Sequence, residues 1–162
     1  MSIRSVRWLI IGASLALAAD FAAAAEAATT KILFMGVNPD HPYGMHMYMH
    51  TAGMLARCAE RTPGVETVVS NGWPKNAEDL KGVRAIVVYS NPAAELLLEG
   101  EHRGQVDALM RSGCGLVTLH WASSVKKENF ERLGPTWLSY LGGTWVSSVG
   151  LSGGTSTLTQ LI

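Results

Sequence analysis

Four short apolar runs recur along the chain after residue 30. They are Lys31 to Val37 (KILFMGV), Val65 to Ser70, Arg84 to Tyr89 (RAIVVY) and Gly115 to Leu119 (GLVTL). Each has strand length and gives way to polar or breaker residues, the pattern of a buried β-strand. The stretches between them follow a different period. From Met45 to Arg61, the residues Met45, Tyr48, Met49, Ala52, Leu55, Ala56 and Ala59 recur at spacings of three and four. They predict a helix with one apolar face, ended by Pro63-Gly64. Asn76 is placed to cap a short helix through Leu80. Glu101 to Arg111 predicts another helix, with Val106, Leu109 and Met110 apolar and Gly113 as its stop. Lys126 to Leu133 and Trp137 to Leu141 read as two further helical segments. Gly142-Gly143 breaks the chain before Thr144-Trp145-Val146.

Nearly all-apolar strands alternating with amphipathic helices predict an α/β fold with a mostly parallel sheet, covered by helices on both faces. Right-handed crossovers make that sheet doubly wound and flavodoxin-like.

The N-terminus obeys neither period. Arg4 and Arg7 precede an apolar run, Trp8 to Ala19, which is short for a bilayer span. An alanine-rich stretch with Ala25-Glu26-Ala27 follows, a small-x-small cleavage site. Residues 1–27 therefore read as a secretory signal peptide, and 30–162 as one α/β domain. No cysteine lies near the cleavage point, so a lipid anchor is not indicated. The expectation is a secreted or periplasmic protein with no stable membrane anchor after cleavage.

Composition narrows the partners. Hydrophobic residues make up 48% and charged residues 16%, which fits a globular domain rather than a disordered one. Lys+Arg and Asp+Glu both number 13, so there is no basic footprint for nucleic acid. An oxidising compartment permits a Cys58–Cys114 disulfide, but two unpaired, partly buried thiols are the preferred reading.

Ligands of open α/β sheets bind outside the carboxyl ends of the strands. That rule selects Asn38, Asp40, His41 and Tyr43 after the first strand and Ser90 and Asn91 after the third. After the fourth it selects His120, Trp121, Ser123 and Ser124. His120 is the leading candidate, as an acid, a base or a neutral metal ligand. His46 and His50, four apart on the predicted helix, could bind a metal given a third ligand, although two solvated histidines are the commoner meaning of that spacing. Trp121 serves equally as a platform for a sugar ring or as packing under the next loop. The chain has no phosphate-binding glycine loop, no dinucleotide fingerprint, no Gly-x-Ser-x-Gly elbow and no Cys-x-x-Cys. These gaps count against nucleotide hydrolysis, Rossmann-type dehydrogenation, serine esterase chemistry and thioredoxin-like redox work.

The strand KILFMG, the histidine-rich segment from Asp40 to His50, Ala85 to Ser90, GCGLVTLHWASS (113–124) and YLGGTWV (140–146) together resemble the ThuA-like family, named for trehalose utilisation. The resemblance covers about Thr30 to the end. It implies a fold similar to class I glutamine amidotransferases and a place in carbohydrate metabolism. The amidotransferase nucleophile is a cysteine in the turn after a central strand. The comparable turn here is Leu119-His120-Trp121-Ala122, and Cys114 lies at the strand's opposite end, which argues against glutaminase chemistry. His120 matches a histidine common at this place in ThuA-like proteins. Family domains usually continue beyond the GGTW-type segment, so the fold is expected to be incomplete at the C-terminus. The residues from Leu158 to Ile162 look like the opening of another element.

The leading expectation is a sugar-acting enzyme, with His120 catalytic, a divalent metal such as zinc on His41, His46 and His120, and Asp40, Asn91 and Trp121 positioning a small carbohydrate. The alternatives are a non-catalytic carbohydrate-binding domain using Trp73, Trp121 and Trp145, or an inactive fragment.

Overall fold

The first strand, β1 (Thr30–Gly36), pairs in parallel with both β2 (Val65–Asn71) and β3 (Val83–Tyr89), and β3 pairs in parallel with β4 (Gly115–Leu119). This computed structural model of the protein describes residues 29–147 and 157–160. Residues 1–27, expected from the sequence to be a signal peptide, lie outside the described residues. The four-stranded sheet has the order β2-β1-β3-β4, the flavodoxin-like winding expected from the sequence.

The side-chain alternation of β1 divides the core in two. Leu33 and Met35 face a large cluster with Ile86, Val88, Leu97, Val106, Leu133 and Trp137. Phe34 faces the other way and packs on Ala52 and Ala56 of helix α1 (Tyr48–Ala59). The opposite face is covered by α2 (Ala93–Leu98), α3 (Arg103–Arg111) and α4 (Phe130–Leu141). Helices therefore lie on both faces, as expected.

A second sheet was not foreseen. Strand β5 (Ser124–Lys126) pairs in parallel with β6 (Gly143–Ser147), which pairs antiparallel with β7 (Thr157–Gln160). It abuts the main core through Val125, which is fully buried.

The element assignments need correction at three places. The first helix starts at Tyr48, not Met45, because His46 adopts a left-handed φ of 45° that no helix can include. Met45 consequently leaves the apolar face and is half exposed. Helix α2 lies where the sequence predicts no element: its six residues, AAELLL, are too few for a period, and four of them are buried. Of the segments Lys126–Leu133 and Trp137–Leu141, Lys126 ends β5 and Lys127–Asn129 forms a 3₁₀ turn, and the rest is one helix, α4, that starts at Phe130 and runs through Gly134-Pro135. Its buried residues Leu133, Trp137 and Leu138 outweigh the local breaker signal.

No helix among the described residues is long and apolar enough to cross a membrane. Cys58 is exposed, Cys114 is buried, and both thiols are free.

Candidate functional site at the carboxyl edge of the sheet

The chain leaves β1 toward β2 on one side and crosses to β3 on the other. The carboxyl ends of β1 and β3 therefore form the switch point, where open α/β sheets bind ligands. The loop after β1 carries Asp40, His41 and His46 to this place, and the loop after β3 carries Asn91. The Nδ2 of Asn91 reaches Oδ2 of Asp40 at 3.4 Å, bridging the two loops.

Asp40 is the hub. Its Oδ1 lies 2.7 Å from Nδ1 of His41 and 3.4 Å from Nδ1 of His46. The Tyr48 hydroxyl lies 3.0 Å from each carboxylate oxygen and 3.0 Å from Nδ1 of His46. Burial of the Asp40 carboxyl works to raise its pKa. The hydrogen bonds from His41 and Tyr48 and the charge of His41 outweigh that effect and hold it below the usual value, so the group is a carboxylate at neutral pH. Burial, the Asp40 hydrogen bond and the Asp40 charge push the Tyr48 phenol well up, so it keeps its proton.

The rings continue across the edge. His41 and His46 lie with centroids 4.2 Å apart, and His46 and His120 with centroids 5.3 Å apart. His120 begins the 3₁₀ turn after β4 and takes a left-handed φ of 57°. Its ring also stacks at 6.5 Å on Tyr89, and Trp121 lies at 6.2 Å. Left-handed backbone is costly for a non-glycine residue, about 1–3 kcal/mol, and such strain concentrates at functional sites. Both left-handed non-glycine residues among those described are histidines of this cluster.

Asp40, His41 and His46 each offer a ligand atom within 4.8 Å of the others, a carboxylate–imidazole set able to hold a divalent ion. This set differs from the expected one: Asp40 stands among the donors, and His120 adjoins the group through His46. His50 does not join it. With His46 outside the helix, the two residues do not share a helix face, and His50 is exposed on α1.

Trp121 is half-buried beside His120. Trp73 is committed to packing: its ring stacks on His102 at 5.2 Å, and its N–H donates to Oε1 of Gln105 at 2.7 Å. His102 in turn contacts the carbonyl of Leu96 through Nε2. Ser90 is buried with no partner for its hydroxyl among the described residues.

The sequence did not single out Tyr48 or Tyr89 as site residues. Tyr48 reads as an ordinary member of the apolar stripe, and its hydroxyl is the only sign of a second role. Tyr89 closes a strand, and its ring meets that of Tyr48 at 4.8 Å.

Comparison with protein-family models, with characterised proteins and with solved structures finds no match to this chain.

Proposed function

We propose that the edge formed by Asp40, His41, His46 and His120 is a divalent-metal site of the zinc type, acting on a sugar or sugar derivative. The observation that carries this reading is the joining of His41 and His46 to one ionised carboxylate, with a third imidazole against the second. Imidazole and carboxylate donors suit zinc, and ligating histidines characteristically have their other nitrogen held by an acceptor. Bound zinc would supply Lewis acidity and a water ionising near pH ~7. The chain's own contribution is orientation: Asp40 holds His41, Tyr48 holds His46, and Asn91 ties the carboxylate to the β3 loop.

The carbohydrate substrate rests on the ThuA-like resemblance of residues 113–124 and 140–146, together with Trp121 beside His120. The apolar segment Trp8 to Ala19 supports export, with Asp20 and the Ala25-Glu26-Ala27 site after it.

One observation favours a second, metal-free reading. The 2.7 Å contact between Asp40 and His41 is also that of an imidazole oriented as a general base.

Thermal unfolding of the full chain with and without Zn²⁺ separates the two. A ligand that binds only the folded state stabilises it, by about 2.7 kcal/mol at a concentration 100-fold above Kd. A rise in Tm of several degrees, lost in His46→Ala, is expected. Indifference to zinc would remove the metal and leave the Asp40–His41 pair as base.

A further inference from the structure

We infer that Tyr48 is a positioning residue: its hydroxyl fixes the proton of His46 on Nδ1 and so leaves the lone pair on Nε2. This deepens the proposed metal site and rests on that reading for its purpose, though not for its geometry.

The argument is a count of protons. A phenol has one proton to donate, and a carboxylate can only accept. The Tyr48 hydroxyl is 3.0 Å from both oxygens of Asp40, so its proton points to the carboxylate. The same oxygen is 3.0 Å from Nδ1 of His46. With the phenol proton spent on Asp40, this second contact is a hydrogen bond only if His46 donates from Nδ1. A neutral imidazole carries one N–H, so Nε2 of His46 keeps its lone pair. Asp40 imposes the same choice on His41, whose Nδ1 lies 2.7 Å from Oδ1. Two neighbouring rings are thus locked in one tautomer by two different acceptors, and each keeps its lone pair on Nε2.

Tyr48 is well fixed for this task. It is 1% exposed, and its ring meets Tyr89 edge to face at 4.8 Å. It is also the first residue of α1, and that helix end is seated against Gly36 at the end of β1. A β-carbon at Gly36 would lie 2.8 Å from the carbonyl carbon of Tyr48 and 2.9 Å from the Met49 nitrogen. Only glycine permits that approach, and the approach brings the phenol to the switch point.

The test is Tyr48→Phe in the full chain, which keeps the ring and removes the hydroxyl. Imidazole ¹⁵N shifts, recorded without metal at a pH where the rings are neutral, report each tautomer. In the wild type, His41 and His46 are both expected as Nδ1–H. In Y48F, His46 is expected to move toward Nε2–H while His41, still held by Asp40, does not change. Zn²⁺ affinity is expected to fall about 10- to 100-fold, the usual cost of losing a residue that orients a metal ligand.

Retention of Nδ1–H at His46 in Y48F would overturn the inference and hand the role to Asp40, 3.4 Å away. A shift of both rings would overturn it too, since the hydroxyl would then have no specific hold on His46. Failure of the wild type to bind zinc while the tautomer responds as described would remove the metal reading and leave the positioning role standing.

Discussion

His46 and His120 meet edge to face with ring centroids 5.3 Å apart, and each holds its backbone in the left-handed region, at φ 45° and 57°. One comes from the loop after β1 and the other from the turn after β4, so the contact draws together the two sides of the sheet edge. Left-handed strain at two touching histidines implies a conflict between stability and site geometry.

That conflict can be measured. Glycine accepts a φ of 57° without strain, and the His120 side chain is exposed. His120→Gly is therefore expected to unfold no earlier than the wild type in the absence of metal. Relief of about 1–3 kcal/mol of strain offsets the roughly 0.5–1 kcal/mol entropic cost of glycine. The same variant is expected to show a weaker zinc-induced rise in Tm. Unfolding several degrees earlier without metal would mean that His120 is a structural histidine.

Gly36 offers a second handle on the site from outside it. Gly36→Ala forces the first turn of α1 away from the end of β1, because the clash is with backbone atoms that cannot rotate aside. Overpacking of this kind costs about 1–3 kcal/mol. Denaturant unfolding should show that loss, and the His46 ¹⁵N shifts should change in the same variant as Tyr48 is displaced. A stability loss with unaltered His46 shifts would mean that the helix moves without carrying the phenol.

The main sheet was legible because its strands are nearly continuous apolar runs and its edge is selected by a topological rule, so Asp40, His41, Asn91 and His120 could be named from position alone. What failed was local. His46 looked helical because the apolar period of Tyr48 and Ala52 extends back to Met45, and periodicity cannot register one left-handed residue. Tyr48 was hidden by its own burial: an aromatic at a core position satisfies the helical pattern whether or not its hydroxyl has a task. Helix α2 was missed because six residues with four buried have no polar face to reveal a period. The second sheet rests on strands of three to five residues, below the length at which alternation is readable.

The thiols provide a check on the fold itself. Cys58 is exposed on α1, whereas Cys114 is buried and its thiol pKa is raised by burial, with Arg84 opposing the shift weakly. A thiol reagent under native conditions is expected to modify Cys58 quickly and Cys114 only on unfolding. Two equivalents in denaturant and one in buffer would agree with this arrangement. None in denaturant without reductant would show that the two cysteines had paired.

Asp40 makes the last prediction, and its sign follows from its surroundings. Burial raises its pKa, but the His41 and Tyr48 hydrogen bonds and the His41 charge more than reverse this, so the folded value lies below the ordinary 3.8. A depressed carboxyl pKa contributes stability that is fully present above the unfolded value and is lost as pH falls through the folded one. Asp40→Asn keeps the shape of the side chain and removes the titration. Urea midpoints of wild type and variant should therefore differ at about pH 5, and the difference should shrink once the pH passes below the ordinary carboxyl range. The carboxylate side chain is 37% exposed, so solvent screening keeps this difference small. The pH at which it shrinks is the diagnostic, rather than its size. A difference that vanished between pH 7 and 5 would belong to some other group. One that persisted unchanged to about pH 2 would mean that the acceptor geometry of Asp40, and not its charge, holds His41 and Tyr48 in place.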